Sequence, residues 1–301
     1  MKRLKDKKMR TAYRLAEINL LNGVSDHQPE TFNEKIRFKM AWDRDKKLTM
    51  FADKLAVRKF VSKRAGSDFL IPLLYSGKRG KDIFNFRTDR EFVIKANHGC
   101  GGIIIVSESV ETEKELNHIE SIDWRVLQVK PENFSFTTAA EIIDKWMNQN
   151  YSYVYGDFVE WAYRDIKPRF LVEELISDSN GGDPIDYKFF AFNGKCQLIE
   201  VHTDRFGKHG QGFYSLDWLP LEMTKTYSRM GERIPRPREL QEMIKLAELL
   251  AKGTDFLRVD LYLTNQGIKF GELTNYPAAG TTNFSPEFWN YEIGRDWIPK
   301  Y

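Results

Sequence analysis

Hydrophobic and polar residues alternate along Phe256–Asn275, FLRVDLYLTNQGIKFGELTN, with a period of two. This pattern predicts two β-strands joined by a tight turn at Asn265-Gln266-Gly267. In the first strand one face carries Leu257, Val259, Leu261 and Leu263, and the other carries Phe256, Arg258, Asp260 and Tyr262. Simple alternation along the return strand places Glu272 on the same face as Ile268 and Phe270.

The two acids of this hairpin predict a magnesium site. Asp260 and Glu272 on adjacent strands would repel each other in a core unless a cation lay between them. Magnesium takes oxygen ligands, usually one or two carboxylates together with phosphate oxygens. The alternative is a hairpin at a sheet edge whose acids are solvated.

A second candidate is the glycine-rich stretch FVIKANHGCGGIIIV, which predicts a strand, a loop and a strand. Its three glycines can take positive φ angles and let backbone N–H groups converge on an anion. Lys95 ends the entering strand, within reach of a phosphate held by the loop. Neither the P-loop nor the dinucleotide-binding motif is present, which favours a flap over phosphates. The alternative is an ordinary glycine-rich hairpin.

Elsewhere, apolar spacing predicts helices over 26–65, with a capping box at Thr31 and Glu34, and over Pro237–Ala251. Residues 107–168 are expected to be helices and loops. Further strands are expected at 71–77, 169–176, 186–192 and 197–202. We divide the chain into an N-terminal region (1–90), a subdomain with the flap (91–176) and a subdomain with the acidic hairpin (177–301).

Composition narrows the function classes. Of the 301 residues 42% are hydrophobic and 30% charged, which is typical of a globular protein. Lysine and arginine total 46 against 43 acids, so no nucleic-acid partner is expected. The 2 cysteines are far apart, which favours a reducing, cytoplasmic location. We interpret the basic residues 1–22 as a packed helix with a solvated face. The alternative is weak contact with the inner face of a membrane.

The ordered motifs carry a family resemblance. They are PETFNEKIRFKMAWDRD, ADKLAVRKFV, FVIKANHGCGG, KPRFLVEEL, DYKFFAFNGK, DRF and FLRVDLY…GELTNYPAAG. This set resembles the ATP-grasp superfamily, and within it the TupA-like branch associated with teichuronopeptide and other surface-polysaccharide biosynthesis. The resemblance implies an α+β ATP-grasp fold, in which two α+β subdomains clasp ATP beside a smaller, mostly helical N-terminal region.

The resemblance also implies roles for individual residues. The ATP site would comprise Lys54, Lys95, His98, Gly99, Cys100, Gly101, Gly102, Glu173, Glu174, Leu175, Ile176 and Lys188. Magnesium would be held by Asp260 and Glu272, and Arg258 together with Lys188 would steady the reacting charges. The superfamily places an asparagine two residues after the second metal carboxylate. Thr274 stands there in this chain, with Asn275 one residue further on, so both are candidate third ligands.

The implied reaction is carboxylate–amine ligation through an acyl phosphate, with ATP and Mg²⁺. The expected partners are a uronic acid or related glycan precursor and an amine or amino acid. A glycosyltransferase is the main alternative, since Asp43-Arg44-Asp45 matches its D-x-D motif by letters. A kinase-like phosphotransferase and a non-catalytic scaffold are further alternatives. His202 and Asp204 would suggest hydrolysis, but no nucleophile motif accompanies them, which favours a structural or substrate-contacting role.

Overall fold

The computed structural model describes residues 28–110, 124, 126–153, 159–203, 209–225, 234–299 and 301. The predicted basic helix at 1–22 and the pair Asp204-Arg205 lie outside the described residues. No helix in these ranges is both long and apolar enough to cross a lipid bilayer.

Six α-helices are described, and their bounds are α1 Phe32–Trp42, α2 Lys46–Ala52, α3 Ala56–Ala65, α4 Phe136–Asn148, α5 Leu240–Ala251 and α6 Phe288–Glu292. The predicted capping box forms at the start of α1. Thr31 accepts a hydrogen bond from the backbone of Glu34, whose side chain accepts from the backbone of Thr31. The reciprocal bonds satisfy N–H groups that a helix start leaves unpaired.

The first sheet has five strands in the order β1-β5-β2-β3-β4. Their bounds are β1 Leu73–Gly77, β2 Phe92–Ala96, β3 Ile103–Val106, β4 Val126–Val129 and β5 Phe170–Glu174. Strands β2 and β3 are the antiparallel pair predicted on either side of the glycine-rich loop. Strand β1 belongs to this sheet although it lies before residue 91, where we placed the subdomain boundary.

The second sheet also has five strands, in the order β10-β9-β6-β7-β8. Their bounds are β6 Asp186–Phe192, β7 Lys195–Thr203, β8 Gly210–Tyr214, β9 Phe256–Thr264 and β10 Gly267–Thr274. Every neighbouring pair is antiparallel. The turn between β6 and β7 has positive φ at Asn193 (51°) and Gly194 (76°), as the Asn-Gly dipeptide predicts.

Both faces of the second sheet contribute to the hydrophobic core. One face packs against α3 and α5 through residues such as Val61, Leu250 and Val259. Part of the other face packs against α1, where Phe32 lies among the rings of Phe190 and Phe256. The N-terminal helices are therefore layers of this second unit, and the remaining part of that face is left for polar residues.

Candidate active site

Four charged side chains from four adjacent strands lie in one row on a single face of the second sheet. Antiparallel pairing sets Glu272 opposite Asp260, Asp260 opposite Lys188, and Lys188 opposite Glu200. Residues directly opposite each other across such a pair project to the same side of the sheet. The row therefore gathers three acids and a lysine on the face that α1 covers only in part.

A β-bulge in β10 puts Glu272 into this row. The pairing passes from Phe270 opposite Leu261 to Glu272 opposite Asp260, which leaves Gly271 as the extra residue. One extra residue reverses which face the following side chains occupy. Our prediction that Glu272 shares a face with Phe270 is therefore wrong. Phe270, like Ile268, packs into the apolar core on the other face.

The hairpin of β6 and β7 contains a matching bulge. The pairing passes from Phe190 opposite Leu198 to Ala191 opposite Cys196, so Gln197 is the extra residue. If the pairing continued without the bulge, Ile199, a core residue of β7, would lie opposite Lys188. With it, Glu200 takes that place.

Arg258 forms a bidentate ion pair with Asp260, a central residue of the row. Arg258 Nε and Nη2 donate to Asp260 Oδ1 and Oδ2 at 2.7 Å each. Arg258 Nη2 also donates to Glu272 Oε1 at 3.1 Å and to Thr274 Oγ1 at 3.0 Å. Burial raises the pKa of Asp260, but the attraction of Arg258 and Lys188 outweighs it and lowers that pKa to about 2. Asp260 is therefore ionised at neutral pH.

Lys188 lies between two buried acids. Its Nζ donates to Asp186 Oδ2 at 2.6 Å and to Asp260 Oδ2 at 2.7 Å. The prediction that Asp186, Lys188 and Phe190 share a face is confirmed by the pairing with β9, where these residues oppose Tyr262, Asp260 and Arg258. A lysine held in this way presents a fixed positive charge beside the acids.

The oxygen atoms in this cluster fit Mg²⁺. Asp260 and Glu272 supply carboxylates, and Thr274 Oγ1 lies 3.1 Å from Glu272 Oε1. In the described part of the chain no group of three or more His, Cys, Asp or Glu is arranged to hold a metal. Two carboxylates are within the usual complement for magnesium, which completes its octahedron with water and phosphate oxygens.

The two candidate third ligands occupy different places. Thr274 lies in the cluster through its bond with Arg258. Asn275 follows the end of β10, and its buried side chain donates to the carbonyl of Leu48 at 2.9 Å. This bond directs Asn275 toward α2, so the structure does not bring it to the acids.

A smaller ionic cluster lies on the first sheet. Glu173 on β5 accepts from Lys95 Nζ at 2.8 Å through Oε2 and from Arg58 Nη1 at 2.6 Å through Oε1. Lys95 projects from β2, the neighbouring strand. Nothing in the sequence pattern marked Arg58, which reaches this cluster from α3.

The two ionic clusters face each other. Burial lowers the pKa of Lys95, but Glu173, Tyr262 and Glu272 together raise it above its ordinary value. Tyr262 and Glu272 belong to the second sheet, so Lys95 lies within electrostatic reach of the acidic hairpin. A lysine of the first sheet therefore lies near a carboxylate of the second.

The glycine-rich loop rests on a buried tryptophan, Trp124. A Cβ atom built on Gly99, Gly101 or Gly102 would lie 2.4, 2.4 and 2.9 Å from the nearest atom of Trp124. Only Gly101 of the three has a positive φ, at 86°. Glycine is thus required at the other two positions by the close approach of the indole. Lys54 Nζ donates to the Gly99 carbonyl, which ties this lysine to the loop.

The two remaining loop residues face different surroundings. His98 is buried, and its ring nitrogens lie 3.2 Å from Asn97 Oδ1 and 3.0 Å from the Trp146 carbonyl. Burial lowers the pKa of His98 to about 4, so it is neutral at physiological pH. Cys100 is exposed at the tip of the loop.

The predicted adenine-binding residues lie at the end of β5, with Glu173 and Glu174, and at the start of the segment that leads to the second sheet, with Leu175 and Ile176. The amides of Glu174 and Leu175 donate to the carbonyls of Pro72 and Glu91, each at 3.1 Å. The Glu174 side chain pairs with Arg90 at 2.9 Å on the surface. Leu175 and Ile176 are half-buried. Their role in binding adenine stays a prediction.

The D-x-D sequence has structural partners. Asp43 binds Lys39 at 2.6 Å within the core. Asp45 caps α2 by accepting from the Lys47 amide at 2.9 Å. Arg44 donates to carbonyls at the end of α1. These contacts give all three residues a role in ending one helix and starting the next.

A second polar cluster lies beside Lys188, and sequence reasoning found only His202 in it. Glu200 Oε1 accepts from His202 Nε2 at 2.5 Å, from Gln211 Nε2 at 2.6 Å and from Lys225 Nζ at 2.6 Å. The one sequence signal was that Glu200 and His202 are two residues apart on a strand. Side-chain alternation does not reveal the bulge at Gln197. The sequence therefore did not show that Glu200 and His202 face the site.

The TupA-like ATP-grasp family model matches residues 34–298. No curated protein matches the chain. Among solved structures the fold is similar to D-alanine–D-alanine ligase from Bacillus anthracis complexed with ATP, at 14% identity and a TM-score of 0.42, over 83% of this chain and 66% of that one. The Helicobacter pylori D-alanine–D-alanine ligase matches at 10% identity and a TM-score of 0.42, over 83% and 57%.

A third similar structure is the macrocyclase MdnC from Microcystis aeruginosa MRC, bound with its precursor peptide MdnA. It matches at 9% identity and a TM-score of 0.39, over 92% of this chain and 66% of that one. The chain therefore spans about two thirds of the length of these relatives. The family model, by contrast, covers nearly the whole sequence, including both sheets and their facing ionic clusters. This chain is a member of the TupA-like ATP-grasp family and has the α+β ATP-grasp fold.

Proposed function

We propose that this protein is an ATP-dependent ligase that joins a carboxylate to an amine through an acyl phosphate. The observation that carries the proposal is the ionic cluster of Lys188, Arg258, Asp260 and Glu272 facing Lys95 across the two sheets. Phosphoryl transfer depends on positioning and on neutralising charge more than on a protein nucleophile. This cluster offers fixed cations and metal-binding oxygens.

In the proposed first step a carboxylate oxygen of the substrate attacks the γ-phosphorus of ATP and ADP departs. Lys188 and Arg258 would stabilise the negative charge spread over the phosphoryl oxygens, because both are fixed by buried acids. Lys54 and Lys95, with the loop of Gly99 to Gly102, would hold the other phosphates. Magnesium at Asp260 and Glu272 would neutralise phosphate charge when bound.

In the proposed second step the amine nitrogen attacks the acyl carbon. A C–N bond forms, the C–O bond to phosphate breaks, and inorganic phosphate leaves while the nitrogen loses a proton. The substrate carboxylate is itself the nucleophile in the first step. That scheme agrees with the absence of a recognisable nucleophile motif in the sequence.

The assignment of the two substrates follows from the TupA-like branch of the ATP-grasp superfamily. We propose that the carboxylate is a uronic acid or related acid of a surface-polysaccharide precursor, of the kind found in capsules and teichuronopeptides, and that the amine is an amino acid or simple amine. A cytoplasmic location, at or near the inner face of the membrane, remains part of the same proposal. The structural roles of Asp43 and Asp45 weigh against a glycosyltransferase.

The test is ADP and phosphate release from Mg²⁺ and ATP with uronic acids and amines offered singly and in pairs. We expect repeated turnover only with a productive pair. Glu272→Gln should abolish it, because Glu272 is a metal ligand in the proposal. Glu248→Gln, which removes a surface ion pair with Lys195, is the matched control. With the acid alone, the first step can yield one ADP per site. Repeated turnover with one substrate alone, or no ADP release with any pair, would contradict ligation.

The alternatives are separated by the product of the assay, by thermal unfolding and by behaviour in cells. A stable phosphorylated product would point to a kinase-like phosphotransferase. Protection from thermal unfolding by sugar nucleotides and not by ATP would point to a glycosyltransferase. Unchanged behaviour of an Asp260→Ala, Glu272→Ala double variant in cells would point to a scaffold.

A further inference from the structure

The cluster around Glu200 contains two buried oxygen atoms without hydrogen-bond donors. Glu200 is fully buried, and Gln211 is 2% exposed. Glu200 Oε2 and Gln211 Oε1 have no hydrogen-bond partner among the described residues. A buried acceptor left unpaired is unfavourable, so two in one cluster need a physical explanation.

The orientation of Gln211 is fixed by its neighbour. Its Nε2 donates to Glu200 Oε1 at 2.6 Å. Exchanging the amide nitrogen and oxygen would bring two acceptors together, since an ionised carboxylate only accepts hydrogen bonds. Gln211 Oε1 is therefore held as an acceptor next to the Glu200 carboxylate.

The charge of Glu200 is also fixed. Burial raises its pKa, but the attraction of Lys225 and the hydrogen bond from His202 outweigh that and lower the pKa well below the ordinary value. Glu200 is thus an anion at neutral pH. His202, Gln211 and Lys225 all donate to Glu200 Oε1, and no described residue donates to Oε2.

This pair of acceptors borders the proposed reaction centre. Glu200 lies directly opposite Lys188 in the pairing of β6 with β7. Arg258 also contributes to lowering the pKa of Glu200, so it lies within electrostatic reach. A group bound to Glu200 Oε2 and Gln211 Oε1 would be one strand away from the lysine that we assign to the transferred phosphoryl group.

We propose that Glu200 and Gln211 form the binding site for the amine co-substrate and hold its ammonium group by accepting its N–H donors. An ammonium offers several donors and a positive charge, which matches one anionic and one neutral acceptor. The pair of Lys225 Nζ with Glu200 at 2.6 Å illustrates an ammonium bound to this carboxylate within the chain itself. The proposal rests on the ligase function and names its second substrate as a primary amine that binds in its protonated form. The ammonium must lose one proton to solvent before its nitrogen can attack the acyl carbon, and the nitrogen loses a second proton as the C–N bond forms.

The first test measures binding without turnover. Thermal unfolding of the full chain with Mg²⁺ and ATP is followed in methylammonium chloride and in equal tetramethylammonium chloride, which has no N–H donor. We expect a higher midpoint in methylammonium, by about 1–2 °C at 0.1 M, since a ligand that binds only the folded state stabilises it. Gln211→Met should remove this difference. Equal midpoints in the two salts for the wild type would mean that water alone satisfies the acceptors and would overturn the proposal.

The control is Gln266→Met, the same change at an exposed position in the turn of the β9–β10 hairpin. It should keep the wild-type difference. Glu200→Gln is the second variant, because it removes the negative charge while keeping the shape of the side chain. If both Gln211→Met and Glu200→Gln fold and still keep the full difference between the salts, the methylammonium is bound elsewhere and the assignment is wrong.

The second test uses the productive acid–amine pair from the ligase assay. Gln211→Met should raise the KM for the amine about tenfold or more and leave the KM for ATP within twofold. An unchanged amine KM, or an equal rise in both constants, would refute the amine site. Failure of the ligase function would look different: no pair releases ADP, while the methylammonium difference persists in the wild type and disappears in Gln211→Met.

Discussion

The ionic clusters of the two sheets have the same arrangement, an acid held between an arginine and a lysine. They differ in the exposure of their side chains and in their net charge. On the first sheet Glu173 lies between Arg58 and Lys95. On the second sheet Asp260 lies between Arg258 and Lys188. Side-chain exposure is 21% for Lys95 but 8% for Lys188. Lys95 is therefore more accessible than Lys188, whereas the accessible member of the second cluster is Glu272, whose side chain is 36% exposed.

The two clusters also differ in net charge. The first cluster has two cations and one acid, which leaves it positive and suited to phosphate. The second has two cations, Arg258 and Lys188, but adds Asp186 and Glu272 to Asp260. Its excess of acid suits a divalent cation. In the proposed function the first sheet would attract the phosphates of the nucleotide, and the second would attract the metal that accompanies them.

The largest expected effect comes from removing the central acid of each cluster. Asp260→Asn should lower the free energy of unfolding by about 3–5 kcal/mol, because it leaves buried Arg258 and Lys188 without their shared partner. Glu173→Gln should cost about half as much, since Arg58 and Lys95 can reach water. Urea unfolding at pH 7 measures both. Equal losses, or a larger loss for Glu173→Gln, would show that burial does not distinguish the clusters.

A smaller loss of stability is expected when the pH is changed. The second cluster should respond at acidic pH and the first at alkaline pH. The pKa of Asp260 falls from an ordinary 3.8 to about 2 on folding, so its contribution is complete above pH 4. About 2 kcal/mol of stability should be lost as the pH falls from 4 to 2. The pKa of Lys95 is raised on folding. Its contribution is complete below its ordinary pKa and is lost as the pH rises further.

Variants test this assignment of the pH dependence. In urea unfolding the difference between wild type and Asp260→Asn should shrink between pH 4 and pH 2. The difference between wild type and Lys95→Met should shrink above pH 10.5, the ordinary lysine value. If both differences stay constant over these ranges, the ion pairs do not supply the linkage we assign to them.

The smallest expected effect concerns the bulge, which only the second cluster needs. The β2–β5 pairing that carries Lys95 and Glu173 is regular. In β10 a Cβ on Gly271 would lie 2.8 Å from Tyr262 Cε2. Gly271→Ala should therefore cost about 1 kcal/mol, since the tyrosine ring must shift. Gln197→Ala, at the exposed bulge residue of β7, should change stability by less than about 0.5 kcal/mol. Equal costs at the two bulges would contradict this account.

Much of the local structure could be predicted from the sequence. The capping box at Thr31, the Asn193-Gly194 turn and the strands on both sides of the glycine-rich loop all form as their patterns indicate. These features depend on neighbours a few residues away, so local propensity and periodicity carry the information. The ordered motifs also identified the family over almost the whole chain.

The interior of the site could not be predicted in the same way. Arg58 meets Glu173 across 115 residues, and Asn275 turns to Leu48 across 227. No periodicity encodes such contacts, because they depend on how distant elements pack. The role of Trp124 beneath the glycine-rich loop is of the same kind. The sequence marked the glycines, but their reason lies in a tryptophan outside the motif.

By itself the sequence determined the family and the two hairpins, and it identified the acids Asp260 and Glu272 as candidate metal ligands. Tertiary structure decided which way those acids point. Alternation along a strand is reliable only until one residue is inserted, and the bulges at Gly271 and Gln197 each reverse it. These two reversals bring Glu272 and Glu200 onto the face of Asp260 and Lys188. The site therefore exists because strand pairing absorbs an extra residue that side-chain patterns do not reveal.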